Sequence, residues 1–158
     1  MGTLFPILVA IRTNKILIYS KQEDWNRFDP VFVDLNKFIE LEVEKHQAGY
    51  PVNTGDLIWA AHDFGCCLVW SKKYEEAKRF LKTSLDLQNK NDWAYFMLAV
   101  AIWETEKDRE KTLHNLKLAS NYIGNYWNEA RYYPAFLETP EFEDVKDDKE
   151  FLNVLGQK

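Results

Sequence analysis

The sequence predicts an all-α fold. Three observations point there. Apolar residues along most of the chain recur three and four apart, the spacing of one helix face. The breaks between these stretches are short and polar, as between antiparallel helix neighbours. The chain also matches itself at an offset of 34 residues, as in stacked helix pairs. The 158 residues are 46% hydrophobic and 28% charged, which suits one domain with a genuine core.

Taken in order, residues 4–19 are ambiguous. "LFPILVAI" and "KILIY" flank "RTN", so they read either as a hairpin or as helix, and the helical chain downstream favours helix. The stretch lacks a basic start and a small-residue cleavage site, and Arg12, Asn14 and Lys15 interrupt it; it fits neither a signal peptide nor a membrane span. The polar segment 20–30 reads as a connection ending at Pro30. A helix follows to about His46, with Val31, Leu35, Phe38, Ile39 and Leu41 near helical spacing. "QAGYPVNTGD" is a loop, and Thr54 or Asp56 is positioned to cap the next helix.

Four helices are then expected over about 56–71, 73–88, 92–105 and 108–123, with Gly124 closing the last. Beyond it the chain turns irregular, broken at Pro134 and Pro140. A short final helix at 148–155 is expected to bury Phe151, Leu152 and Leu155.

The self-match is specific. Trp59 and Trp93, Ala61 and Tyr95, Phe64 and Leu98, Gly65 and Ala99, and Leu68 and Ile102 stand 34 apart. In the second helices the offset is 35: Ala77 with Thr112, Leu81 with Leu116, Ser84 with Ala119. One extra residue in the "ETEKD" loop accounts for the slip. The region 58–126 thus resembles a pair of tetratricopeptide repeats. Gly65 and Ala99 stand where that family keeps a small residue at the helix crossing, and "KKYEEAKRFL" with Tyr74 and Ala77 is similar to its turn and second helix. The departures are Ala61 at a position usually aromatic, Asn89 and Gly124 in place of the closing proline, and Thr112 in place of the small alanine.

The resemblance implies a single domain built as a short α–α superhelix. An N-terminal cap would occupy 1–55, the two repeats 58–91 and 92–126, and a C-terminal cap 127–158. It also implies a concave surface lined by the first helix of each repeat, which in this family binds peptides or helices. Here that surface would carry Trp59, His62, Asp63, Cys66, Val69 and Trp70 from one copy. The other copy would supply Trp93, Phe96, Met97, Val100 and Trp103. So many tryptophans cannot all face water. They are either covered by the chain's own residues 4–19 or 30–46, or they receive a partner.

"WAAHDFGCCLVW" at 59–70 also admits chemical readings. The pair His62-Asp63 resembles the metal-binding pair of the HD phosphohydrolases. That family needs a further histidine and a distant aspartate, and His46, Asp86 and Asp92 show no supporting pattern. Adjacent Cys66 and Cys67 lack the separation of zinc or redox pairs and are too close for an ordinary disulfide. Burial as small hydrophobes in a reducing, cytoplasmic setting is expected. His46, His62 and His114 are too dispersed for a ligand set, "DVKDDKEF" lacks the pattern of a calcium loop, and no phosphate loop or nucleophile elbow occurs. No cofactor or metal is therefore expected.

Net charge is −5, and the basic cluster of Lys72, Lys73, Lys78, Arg79 and Lys82 is interleaved with acids, which disfavours nucleic acid as a partner. The expected function is non-catalytic: a protein-interaction module that docks a peptide or helix through apolar burial around Trp93, Phe96 and Trp103, with His62 and Asp63 orienting it. An inhibitor or immunity-type role, or a structural subunit that homo-oligomerises, would use the same surface. Neither a membrane nor catalysis is required.

Overall fold

Every regular element among the described residues is helical. The structure, a computed structural model, describes residues 4–122 and 132–156. Among the described residues eight α-helices follow in order: α1 (Leu4–Lys21), α2 (Trp25–Gln47), α3 (Thr54–Trp70), α4 (Tyr74–Leu87), α5 (Asp92–Glu106), α6 (Arg109–Asn121), α7 (Tyr132–Glu138) and α8 (Lys149–Val154). A 3-10 turn at Pro140–Phe142 lies between the last two. Gly124 and the end of the second expected repeat lie outside the described residues. No helix among the described residues is long and apolar enough to cross a membrane. The chain divides into two compact units, Met1–Gln88 and Asn89–Lys158.

Five helix starts among the described residues follow short polar side chains that accept from the free N–H groups of the first turn, whereas α4 follows Lys73 with no side-chain cap. Asp24 caps α2, Asn53 caps α3, Asn91 caps α5, Asp108 caps α6 and Asp148 caps α8. Asn53, not Thr54 or Asp56, is thus the cap of α3. Its side-chain oxygen accepts from the Asp56 N–H at 3.2 Å. Helix ends are equally local. The N–H groups of Glu23 and Asp24 return to Ser20 and Tyr19, and those of Gly49 and Tyr50 return to His46 and Lys45. Those of Lys72 and Lys73 return to Val69 and Leu68. Each is a paired closure around a residue of positive φ, held by Gly49 in one case and by Glu23 and Lys72 in the others.

Two boundaries differ from expectation. α2 begins at Trp25, five residues ahead of Pro30, so Pro30 lies inside the helix. The carbonyl of Asn26 loses its partner there, but Asn26 and Pro30 are exposed and water can satisfy it. Phe28, in the segment read as a connection, is one of the buried anchors of α2 with Leu35 and Ile39, whereas Leu41 faces out. Pro134 does not break the chain: it lies in the first turn of α7, where a missing N–H leaves no bond unmade.

In the first unit, α3 and α4 form an antiparallel hairpin on which α1 and α2 pack. Aromatic rings run through it: Phe28 stacks on Phe32 at 5.9 Å, Phe32 meets Phe64 at 5.8 Å, and Phe64 meets Phe80 at 4.6 Å. Ser84 donates across the hairpin to the Ile58 carbonyl at 3.1 Å. The Cys67 thiol meets the Thr13 carbonyl of α1 at 3.7 Å. Arg79 pairs with Glu40 and Asn36 of α2, and Lys78 with Glu75, so two members of the basic cluster are held within the first unit.

In the second unit, α5 and α6 form the corresponding hairpin. The inserted residue does not lengthen the loop. The α3–α4 connection has three residues and the α5–α6 connection two; α5 itself runs further at its C-terminal end. Lys107 takes the positive-φ position here, as Lys72 does in the first hairpin. The C-terminal segment closes over this pair with Phe136, Phe142 and Phe151 fully buried, while Leu152 is only half-buried. Arg109 of α6 reaches Asp148 at 2.8 Å and Glu150 at 2.7 Å and lies over the Phe151 ring, and this guanidinium holds the Asp148 carboxyl below the usual carboxylate range.

Candidate protein-docking face

The eleven residues expected to line one surface meet different fates. On α3, residues 59, 63, 66 and 70 follow a spacing of four, three and four, which sets them on one stripe about 60° wide. Trp59 is 60% exposed and Trp70 56% exposed. Asp63 between them is exposed too, and the apolar surroundings of its carboxyl raise its pKa above the ordinary aspartate value. Cys66 in the same stripe is buried. Both indoles stay open to solvent although α1 and α2 contact α3.

His62 is buried beside this stripe. Its ring stands edge-on to Trp59 at 5.7 Å, and its Nε2 lies 3.7 Å from the Cys66 sulfur. His62 and Asp63, being consecutive in a helix, point about 100° apart. Among the described residues, no three of His, Cys, Asp and Glu gather closely enough to hold a metal ion. Burial drives the Cys66 thiol up, and Asp63 nearby adds to it; the same two causes push Cys67 to about 12. Both cysteines are free and buried, hence poor nucleophiles.

On α5 the picture reverses. Phe96, Met97, Val100 and Trp103 are buried, and Trp93 is half-buried and stacked on Phe96 at 5.0 Å. The cover is the C-terminal segment: Phe142 meets Phe96 at 6.2 Å, Phe151 meets Trp103 at 5.6 Å, and the Trp103 indole N–H donates to Asp144 at 3.0 Å. Residues 4–19 and 30–46, one of the two covers considered from the sequence, lie in the first unit. The cover falls within the expected C-terminal cap, 127–158, whose "FLETPEFEDVKDDKEF" stretch spaces aromatics among acids.

Comparison with protein-family models, curated proteins and solved structures gives no match.

Proposed function

We propose that this chain is a non-catalytic protein-interaction module of tetratricopeptide-like construction whose docking face is the α3 ridge of Trp59, Asp63 and Trp70. The two hairpins at offsets of 34 and 35 residues, each turning through a positive-φ lysine, support the repeat reading. The observation that carries the docking face is the pair of exposed indoles eleven residues apart on one stripe. They lie about 16 Å apart along the helix axis. Large aromatic side chains left in water on one ridge are the usual anchors of an interface. Asp63, set between them, selects a partner that places a basic side chain between two apolar ones. The free, buried thiols fit a reducing compartment such as the cytoplasm.

The test is a pull-down from source-organism lysate with wild type and a Trp59→Ala/Trp70→Ala variant of unchanged circular dichroism. A protein held only by wild type, with affinity at least about tenfold above the variant, supports the face. Identical captures from both remove it.

A further inference from the structure

We propose that the outward face of α1 is a second docking seam, independent of the α3 ridge, and that it receives an acidic amphipathic helix from another protein. α1 is apolar on two opposite sides. Val9, Thr13 and Ile16 are buried against the first unit, while Leu8, Ile11 and Ile18 are 40, 49 and 51% exposed. A helix apolar all round is ordinarily covered all round. α4 in the same unit shows the contrast: its exposed positions Glu75, Arg79, Lys82 and Asp86 are all charged.

The exposed positions Leu8, Ile11, Lys15 and Ile18 are spaced three, four and three, the a/d pattern of a helix-pairing seam, with Lys15 at an a position. A single polar residue there sets register. α1 carries Arg12, Lys15 and Lys21 and no acidic residue, in a chain whose net charge is −5. Lys15 is exposed and makes no salt bridge among the described residues. Two α1 seams brought together would oppose like charges, which argues against a second copy. A lipid surface calls for cations flanking the apolar face. Here Lys15 stands within the face, between Ile11 and Ile18, and Arg12 is turned onto the Phe38 ring. A helix with an apolar seam and carboxylates beside it satisfies both the exposed side chains and Lys15.

The experiment measures binding of two labelled synthetic helices to the full chain by fluorescence anisotropy. Both carry leucine at a and d, one with Glu and the other with Lys at e and g. The Glu helix should bind at least about tenfold more tightly than the Lys helix, and less tightly as salt rises. Ile11→Glu, an exposed change that leaves circular dichroism intact, should abolish binding; Lys15→Glu should reverse the preference. Trp59→Ala/Trp70→Ala should bind the Glu helix as wild type does, which separates this seam from the α3 ridge. Equal binding of the two helices, or of neither, overturns the proposal. So does a concentration-dependent mass in light scattering that Ile11→Glu removes, which would name a second copy. Recruitment to phosphatidylserine vesicles without peptide binding would name a lipid surface and overturn it as well.

Discussion

Gly65 on α3 lies directly against Leu81 on α4: a Cβ at position 65 would stand 2.7 Å from the Leu81 Cγ and 3.1 Å from its backbone nitrogen. The closeness of the two helices depends on that missing methyl. Alanine would gain helix propensity worth about 1 kcal/mol, but overpacking a buried site costs about 1–3 kcal/mol. Gly65→Ala should therefore lower stability, by up to about 2 kcal/mol, in urea unfolding. Leu81→Ala should cost about 2–5 kcal/mol, and in that background Gly65→Ala should no longer destabilise. An equal penalty in both backgrounds would show that the contact does not set the helix spacing.

The positive-φ lysines give a second test. A non-glycine residue in the left-handed region costs about 1–2 kcal/mol, partly offset by the chain entropy that glycine loses on folding. Lys72→Gly should stabilise by about 0.5–1 kcal/mol. Lys107→Gly should gain less, because the Lys107 ammonium lies 4.7 Å from the centre of the Trp103 ring and pairs with Glu104 at 3.1 Å. Thermal melts that show the opposite order would contradict this assignment of the two turns.

Covering of the α5 face predicts a stability effect where an open surface would give none. Phe96→Ala and Trp103→Ala should each cost about 3–5 kcal/mol, the range for buried aromatics. Trp103→Phe should cost about 1 kcal/mol, chiefly the lost bond to Asp144. If Phe96→Ala unfolds in denaturant as wild type does, Phe96 is not core.

The cysteines set an alkaline limit. Both thiols have pKa values raised by burial, Cys67 to about 12, while in the unfolded chain they titrate near 9. Above pH 9 the unfolded chain holds fewer protons than the folded one, so stability falls as pH rises from about 9 towards 12 and is unaffected below 9. Cys66→Ala/Cys67→Ala should flatten that decline. In the native wild type neither thiol should react with a disulfide reagent at pH 8. Prompt stoichiometric labelling without unfolding would contradict the burial.

The helices were legible because their signals are local. The match of Trp59 to Trp93 and of Leu81 to Leu116 needs no knowledge of packing. Pro30 and Phe28 were misread for the same reason: a proline is strong local punctuation, but the burial of Phe28 against Phe32 outweighs one unmade bond. Gly65 announced a close crossing, though its neighbour Leu81 emerged only with the fold.

Side-chain exposure was a different matter. Trp59 of α3 and Trp103 of α5 are both expected on one concave surface, yet one faces solvent and the other is buried. The difference lies with Asp144 and Phe151, which are more than forty residues beyond Trp103 in sequence and come against it when the C-terminal segment folds back. Periodicity identifies which residues share a face, because a helix repeats every 3.6 residues. What covers that face depends on where distant segments of the chain come to rest, and no local spacing encodes it.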